Sequence, residues 1–517
     1  MNGLVVAFRV DASTGMGTGH VMRCLTLASV LQTHGAKCHF IVRAHAANLS
    51  DMILRQGFSL SELPAGVAGF QPLECASSPL PAHAAWLGVD WQVDAAQTSA
   101  ALEGTRSDWL VVDHYGIDSR WETTLRRSHV EKLLVIDDLA DRSHDCDLLL
   151  DQNLGRTAQD YAARVSAGCR IFCGPRYALL RPEFGAMRSY SLSRRANFEL
   201  RTVLISMGGV DLPNATCRVI EALRHVPLPV GSSVVVVMGR QSPWLARVRK
   251  VAATIPWPIK VRVDVSDMAQ LMADCDLAVG AGGGSAWERC CLGVPTLTIE
   301  CAANQRVVVE ALALAGAAIT MSASAEVDSI RLGLETLIER RDLREALSRK
   351  SRELVDGLGA RRVALAALAQ TIEFRKTMID DADVAHIWRD DPRTRKYFRN
   401  SGSVSRAAHD VWWQQALLDR SCHMLLAICG TLKVGILRFD QRADSAEVSI
   451  YLDPEFTGLG LGAAMLDRGK EWLKANEPEI GCLFAHVLPE NLASASIFAA
   501  AGFSRVDGDL WSCGVGK

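Results

Sequence analysis

The sequence lacks the features that mark several classes of protein. No apolar run approaches the roughly 20 residues that a membrane-spanning helix needs. The formal net charge is only −2, and no basic stripe of the kind that binds nucleic acid is present. The first residues lead straight into a predicted strand, without the basic segment and apolar core of a secretory leader. We therefore expect a cytoplasmic protein that binds neither membranes nor nucleic acids.

The cysteines lack the spacing of a disulfide framework or a zinc site. The chain has 15 of them, none in a Cys-x-x-Cys pair, and several lie within apolar runs. This pattern indicates buried, reduced thiols in a reducing compartment.

The length of the chain points to several domains. At 517 residues it is too long to form a single hydrophobic core. Its content of 49% hydrophobic and 22% charged residues is typical of a globular protein. Short apolar strands alternate with longer mixed segments, which predicts two doubly wound parallel sheets facing a cleft. We place the domains at residues 1–187, 188–372 and 373–517. The predicted strands include Lys37–Val42, Trp109–Val112, Leu133–Ile136, Leu148–Leu150, Arg170–Cys173, Thr202–Ser206, Val234–Val237, Ile259–Val263, Leu277–Val279 and Thr296–Ile299.

A glycine-rich turn, Gly15–His20, follows the first predicted strand, Leu4–Val10, and precedes apolar residues at helical spacing. Its three glycines allow a tight turn and a close approach of the backbone to a ligand. A helix start suits an anion and disfavours a cationic histidine, so His20 would stay neutral and suit a general base. The alternative is an ordinary glycine-rich turn whose histidine is merely solvated.

Polar residues follow the ends of several predicted strands of the first lobe. In open α/β sheets, ligands bind outside these carboxyl ends, so the clusters predict a site along one edge. The alternative is that these side chains only cap helices and make turns. The clusters are Asp11, Asp113–Gly116, Asp137–Asp138 and Asp151–Asn153.

The second lobe has its own glycine-rich turn, Gly280–Gly284, between a predicted strand and a helix. Ser285 and Glu288 have the spacing of a capping box, which is the structural interpretation. In the functional interpretation, the glycine N–H groups bind a diphosphate and Glu288 accepts hydrogen bonds from a ribose. The two interpretations are compatible.

Seven motifs in one order carry a resemblance that extends from Phe8 to about residue 370. This region resembles the UDP-sugar hydrolase of pseudaminic acid biosynthesis. The motifs are Arg9–Ser13, Gly17–Cys24, Asp113–Gly116, Ile136–Asp138, Gly174–Arg181, Met207–Asp211 and Glu300–Gln305.

The resemblance implies two lobes of the GT-B glycosyltransferase type, similar to the lipid II-forming N-acetylglucosaminyltransferase, that pass the sugar to water. It implies that His20 is the base, that Tyr115 and Asn304 hold the sugar and the diphosphate, and that no metal is needed. The implied substrate is UDP-2,4-diacetamido-2,4,6-trideoxy-β-L-altropyranose. The residues that we predict to bind this UDP-linked amino sugar are Asp11, Gly17, Gly19, Tyr115, Gly282, Gly283, Ser285, Glu288, Asn304 and Gln305.

The last 145 residues or so differ from the two predicted lobes in the pattern of their predicted strands. Three predicted strands, Met424–Ile428, Lys433–Phe439 and Ala446–Leu452, are separated by short breaks that suit antiparallel hairpins. A glycine-rich turn, Pro454–Gly462, follows them and leads into a predicted helix that ends near Asn476.

This segment resembles the GCN5-related N-acetyltransferases (GNAT), whose Q/R-x-x-G-x-G/A turn falls on Thr457, Gly460 and Gly462. Residues 388–391 and 395–413 resemble the 4-amino-sugar acetyltransferase of the same pathway. The resemblance implies a mostly antiparallel α/β domain that uses acetyl-CoA as co-substrate. The residues that we predict to bind acetyl-CoA are Thr457, Gly458, Gly460, Gly462, Asn491 and Ser494.

Two positions depart from the GNAT pattern. Thr457 replaces the usual Gln or Arg, so the pyrophosphate would rest on backbone N–H groups alone. Phe498 replaces a tyrosine that often acts as general acid, so water or another residue would protonate the thiolate, unless its moderate pKa makes an acid unnecessary. Glu447 is our candidate to accept the amine proton, although it also suits a solvent-facing strand carboxylate.

We therefore predict an α/β protein with two Rossmann-like lobes of GT-B type followed by a GNAT domain. The favoured function is bifunctional: acetylation of the 4-amino group of a UDP-sugar, then release of UDP by water. One alternative is a GT-B glycosyltransferase with a regulatory, acyl-CoA-binding GNAT domain. Another is a nucleotide-sugar binding module without catalysis.

Overall fold

The computed structural model describes residues 3–72, 79–104, 106–127 and 130–515. The chain divides into two compact units. The larger comprises Val5–Ser29 and Cys38–Ala360, and the other comprises the residues up to Leu4, Val30–Lys37 and the chain from Arg361 onward. The segment from Arg361 to Ile372, which the sequence places in the second lobe, thus groups with the C-terminal part. The domain boundaries at residues 187 and 372 stay predictions.

The first sheet of the larger unit has the strand order β3-β2-β1-β4-β5-β6-β7 within the described residues. Its strands are β1 Val5–Val10, β2 Lys37–Arg43, β3 Ser59–Leu63, β4 Ser107–Asp113, β5 Val130–Ile136, β6 Leu148–Asp151 and β7 Arg170–Cys173. Its helices are α1 Gly19–Thr33, α2 Ser50–Arg55, α3 Trp91–Ala101, α4 Ser119–Arg126, α5 Ala158–Tyr161 and α6 Pro182–Arg194. The neighbouring strands β1 and β4, β4 and β5, β5 and β6, and β6 and β7 pair in parallel.

This parallel arrangement explains the apolar composition of the central strands. Helices cover both faces of such a sheet, so a strand such as β6 is buried along its whole length. Because the strands are parallel, their carboxyl ends meet at one edge, and the register places Val10 of β1 beside Asp113 of β4. The polar clusters predicted from the sequence follow these strands.

The second sheet of the larger unit has the strand order β10-β9-β8-β11-β12-β13 within the described residues, and every pair in it is parallel. Its strands are β8 Thr202–Ser206, β9 Ser233–Met238, β10 Ile259–Val263, β11 Leu277–Ala281, β12 Thr296–Ile299 and β13 Ile319–Met321. The helices of this part are α7 Ala215–Leu223, α8 Leu245–Ala252, α9 Met268–Asp274, α10 Ser285–Cys291, α11 Arg306–Leu314, α12 Val327–Glu339 and α13 Arg341–Leu354. Helix α14, Gly359–Leu368, begins at the end of this unit, and its residues from Arg361 onward group with the C-terminal unit. Two Rossmann-like sheets are therefore present, as predicted.

The C-terminal unit contains a mixed sheet of strand order β14-β15-β16-β17-β18-β20-β19 within the described residues. Its strands are β14 Glu373–Lys376, β15 Cys422–Cys429, β16 Leu432–Arg442, β17 Ser445–Leu452, β18 Cys482–His486, β19 Ser504–Asp507 and β20 Leu510–Gly514. Its helices are α15 Ala382–Asp390, α16 Pro392–Arg395, α17 Arg406–Leu418, α18 Leu461–Asn476 and α19 Leu492–Ala500. The pairs are antiparallel except for β17 and β18, which are parallel.

Two expectations about the whole chain can be compared with the structure. Among the helices in the described ranges, none is long and apolar enough to cross a membrane. The described cysteines are free thiols, and Cys24, Cys275 and Cys291 are among those that are buried.

Candidate functional site

His20 and Asp113 form a close pair at the carboxyl edge of the first sheet. His20 is the second residue of α1, and Asp113 is the last residue of β4. The Nδ1 atom of His20 lies 2.6 Å from Oδ1 of Asp113. Burial raises the pKa of Asp113, but the charges of Arg23 and His20 outweigh it and hold this pKa below its ordinary value. Asp113 is therefore an ionised carboxylate, which only accepts hydrogen bonds. The proton shared with His20 is consequently on Nδ1 of the imidazole.

A network of polar side chains surrounds this pair. Arg23 donates from Nε to Asp113 at 2.6 Å and from a terminal nitrogen to Asp138 at 2.6 Å. Asp138 also accepts hydrogen bonds from the hydroxyl of Tyr115 at 2.6 Å and the amide of Asn153 at 2.9 Å. The structure thus brings residues from three of the predicted polar clusters together around His20.

This arrangement is compatible with the predicted role of His20 as a general base, which stays a prediction. With Nδ1 donating to Asp113, the lone pair of the neutral imidazole is on Nε2, which can take a proton. The ring of Tyr115 meets that of His20 edge to face, with centroids 4.6 Å apart, and fixes its orientation further. Burial and the charge of Asp138 raise the pKa of Tyr115 well above its ordinary value, so this hydroxyl stays a donor.

Asp11 lies in a buried network that adjoins this one through His114, whose Nε2 is 3.5 Å from Oδ2 of Asp11. Arg9 donates to it at 2.6 Å and the N–H of Arg43 donates to it at 2.7 Å, and both arginines also bind Asp94. Asp11 is 1% exposed, which is typical of a structural carboxylate. A contact between Asp11 and the substrate stays a prediction.

The glycines of the first turn leave room beside His20. Gly17 has φ +76°, which L side chains rarely adopt, and its N–H donates to Ser13 at 2.8 Å. A Cβ built on Gly17 or Gly19 would meet no atom of the described residues within 4 Å. The backbone of this turn is therefore open to a ligand.

In the second lobe, the glycine turn packs against the start of α11. A Cβ on Gly282 would lie 2.4 Å from Cγ2 of Val309, so only glycine fits there. A Cβ on Gly283 would lie 3.5 Å from the amide nitrogen of Gln305, whose oxygen accepts from the N–H of Cys301. Asn304 is exposed in the adjoining 3-10 turn, Ala303–Gln305. Four predicted binding residues thus lie in two adjoining segments.

The capping box predicted for Ser285 and Glu288 is wrong. Ser285 is the first residue of α10, the N-cap position belongs to Gly284, and no side chain caps the helix. Arg289 instead donates to the hydroxyl of Ser285 at 3.1 Å. Because the serine lies inside the helix, the helix start is free of a side-chain cap, as an anion site requires.

Glu288 has an unusual environment for a carboxylate. Its side chain is 19% exposed, and the nearest cation, Arg181, is 3.9 Å away. Burial raises the pKa of Glu288 from 4.5 to about 7, although Arg181 and Arg289 lower it. Because its carboxyl group lies in the first turn of a helix and 3.9 Å from the nearest cation, Glu288 can accept hydrogen bonds from the hydroxyl groups of a ligand.

We expect Glu288→Gln to stabilise the protein at pH 8 and leave it unchanged at pH 4.5. The unfolded chain ionises Glu288 near its ordinary pKa, whereas the folded chain does so only near 7. Stability is therefore lost as pH rises between these values, by up to about 3 kcal/mol at pH 8. Melting temperatures at both pH values check this.

The same variant should bind UDP more weakly at pH 8, because an amide is a poorer acceptor than a carboxylate. Glu183→Gln is the matched control, since Glu183 also lies beside Arg181 but its side chain is 46% exposed. A control variant that shows the same pH-dependent gain would contradict the assignment to Glu288.

In the C-terminal unit, the predicted acetyl-CoA turn leads directly into α18. Gly458 and Gly460 have φ of +81° and +80°, and Gly460 is the N-cap of the helix. The hydroxyl of Thr457 donates to the carbonyl of Pro454 at 3.2 Å. A Cβ on Gly462 would lie 3.0 Å from Cδ1 of Ile497 on α19. The turn thus favours glycine at Gly458 and Gly460 because of their positive φ, and at Gly462 because of its close packing against α19.

The strands next to this turn separate. In the described residues, β17 and β18 pair only at Ser445, Ala446 and Glu447, although both strands continue beyond that point. A wedge therefore opens between parallel strands beside the start of α18. Asn491 caps α19 by accepting from the N–H of Ser494 at 3.1 Å, which gives both residues a structural role.

Glu447 lies where the two strands separate. Its carboxylate is 3.4 Å from Arg399 and 3.7 Å from Arg442, and the side chain is 23% exposed. Phe498 is buried against Phe503, with ring centroids 4.9 Å apart, and belongs to the core. The departure at Phe498 therefore serves packing.

These features can now be compared with known proteins. Residues 371–504 match the acetyltransferase (GNAT) domain family. The chain is 25% identical over 267 residues to the UDP-2,4-diacetamido-2,4,6-trideoxy-beta-L-altropyranose hydrolase of Campylobacter jejuni, covering 52% of this chain and 81% of that protein. It is 32% identical over 202 residues to the spore coat polysaccharide biosynthesis protein SpsG of Bacillus subtilis, covering 38% of this chain and 58% of that protein.

The fold of the larger unit also has a solved counterpart. The crystal structure of Acinetobacter baumannii MurG superposes with a TM-score of 0.51 at 16% identity, covering 70% of this chain and 98% of that chain. This likeness concerns the fold and supports the predicted GT-B type. The chain therefore combines hydrolase-like lobes with a GNAT domain, as the sequence predicts.

Proposed function

We propose that the chain is a bifunctional nucleotide-sugar enzyme. In this proposal the larger unit hydrolyses UDP-2,4-diacetamido-2,4,6-trideoxy-β-L-altropyranose, and the GNAT domain acetylates the 4-amino group of the preceding UDP-amino-sugar with acetyl-CoA. The hydrolase relative supports the first reaction and the matched domain family supports the second. The observation that carries the first is the His20–Asp113 pair, with Nε2 available as a base.

In this proposal the hydrolysis takes one step, with His20 as the base. Nε2 of His20 takes a proton from water as the water oxygen attacks the anomeric carbon. The bond between that carbon and the diphosphate oxygen breaks, and the electron pair leaves with UDP. Asp113 stabilises the imidazolium that forms, and Arg23 keeps Asp113 ionised.

The second lobe would bind the leaving group. The N–H groups at the uncapped start of α10 suit the diphosphate, and the adjoining glycines let it approach the backbone. Glu288 would accept from the ribose hydroxyls, and Asn304 and Gln305 would complete the site from the neighbouring turn. The base and the leaving-group site thus come from different lobes of the larger unit.

Acetyl transfer would use the wedge in the C-terminal sheet. The amine nitrogen attacks the thioester carbonyl carbon, the C–S bond breaks, and the CoA thiolate leaves. Glu447 accepts the proton that the amine loses, directly or through water. The N–H groups at the start of α18 would hold the pyrophosphate of acetyl-CoA.

We expect the full-length protein to release UDP from the diacetamido sugar nucleotide without an added acceptor. With the 4-amino precursor, it should release UDP only after acetyl-CoA is supplied, and free thiol should appear in equal amount. Mass spectrometry of both reactions checks this. Release of UDP only with an added sugar or lipid acceptor would instead show a glycosyltransferase.

A further inference from the structure

Three aromatic side chains continue the site beyond His20. The ring centroids of His83 and Trp86 are 4.3 Å apart, and those of Trp86 and Tyr115 are 5.8 Å apart with planes 27° from parallel. Tyr115 in turn meets His20 edge to face. We call His83, Trp86 and Tyr115 the aromatic wall.

The wall is built on a rigid turn. Trp86 lies in the 3-10 turn Ala84–Leu87, and its backbone N–H donates to the backbone carbonyl of His83 at 2.9 Å. Leu87, the next residue, is 1% exposed in the core of the first lobe. A Cβ on Gly116 would lie 2.8 Å from the carbonyl oxygen of His83, so this turn packs directly on the segment that carries Tyr115.

Despite this anchoring, the rings of the turn stay accessible. His83 and Trp86 are only partly buried, whereas Tyr115 is 4% exposed, so His83 and Trp86 supply the accessible part of the wall. Burial lowers the pKa of His83, so this ring is neutral at pH 7. The site around His20 therefore has a charged side, formed by Asp113 and its partners, and an aromatic side, where the buried guanidinium of Arg142 lies 5.9 Å from the centroid of the Tyr115 ring.

We propose that the aromatic wall binds the deoxygenated, apolar edge of the sugar and selects against sugars with a hydroxyl at that position. This inference rests on the proposed hydrolase function. An aromatic ring offers a large apolar surface to a methyl group, whereas a hydroxyl placed there loses water without gaining a partner. A discrimination of about 10- to 100-fold is the size that such a pocket achieves.

The test compares two substrates on the full-length protein. UDP-2,4-diacetamido-2,4,6-trideoxy-β-L-altropyranose has a methyl group as C6, and its 6-hydroxy analogue, UDP-2,4-diacetamido-2,4-dideoxy-β-L-altropyranose, differs from it only by a hydroxyl on that carbon. For Trp86→Ala we expect KM for the deoxy substrate to rise about tenfold, with kcat changed little, because uniform binding is lost. Trp86→Phe should retain most of the selectivity. Inhibition by UDP alone should stay unchanged.

Trp91→Ala is the matched control, because Trp91 is another half-buried tryptophan of the same lobe that packs on the core. If Trp86→Ala keeps the wild-type KM and selectivity, or if Trp91→Ala changes them equally, the inference is overturned while the hydrolase function stands. If the wild-type protein releases no UDP from either substrate, the proposed function fails first. Should Trp86→Ala not fold, Trp86→Leu provides the same comparison.

Discussion

Replacing His20 by asparagine should lower the rate of UDP release by about 10²- to 10⁴-fold, the usual contribution of a general base. The amide preserves much of the size of the side chain and can keep a hydrogen bond to Asp113, but it takes no proton at neutral pH. UDP binding should stay within a few-fold of wild type, because the predicted nucleotide contacts lie in the second lobe. Product release in single-turnover assays and UDP titration check both expectations.

Asp113→Asn supplies a second, independent variant for the same pair. An amide in place of the carboxylate can donate to Nδ1, which favours the wrong tautomer of His20 and leaves the imidazolium without its counter-charge. Combining both substitutions should cost little more than His20→Asn alone, since the two residues act as a unit. Additive losses, or near-wild-type turnover of His20→Asn, would show that His20 is not the base.

Most of the sheet structure followed from the sequence because parallel strands are apolar along their length. The strands Arg170–Cys173, Thr202–Ser206 and Thr296–Ile299 have the predicted limits. Strand Ser59–Leu63 was missed, since three of its five residues, Ser59, Ser61 and Glu62, are polar, as expected at a sheet edge. Local pattern alone does not distinguish such an edge strand from a loop.

The site followed from the sequence less completely. His20 was predicted from its place after a glycine turn, but its partner Asp113 is 93 residues away, and pairing over that distance is set by the sheet. The useful indication was the position of Asp113 at a strand end. Trp86 was missed because a single aromatic residue in a short turn carries no periodic pattern.

We expect Gly460→Val to abolish most acetyl transfer, by about 100-fold or more, which corresponds to losing about 3 kcal/mol of binding. Gly460 has φ +80°, and a β-branched residue adopts this conformation at a cost of about 1–2 kcal/mol. The turn must therefore move, and the N–H groups at the start of α18 move with it. Thiol release from acetyl-CoA with a 4-amino-sugar nucleotide measures the loss.

The same variant tests whether the two chemistries are independent. Gly460 lies in the C-terminal unit and His20 in the larger one, so UDP release from the diacetamido substrate should stay at the wild-type rate. Gly508→Val is the matched control, because Gly508 also has positive φ, +50°, but lies in the turn between β19 and β20. Equal loss of acetyl transfer in both variants would indicate general destabilisation of the domain. Loss of UDP release in Gly460→Val would show that hydrolysis depends on the acetyltransferase turn, and the proposal of two self-contained sites would be wrong.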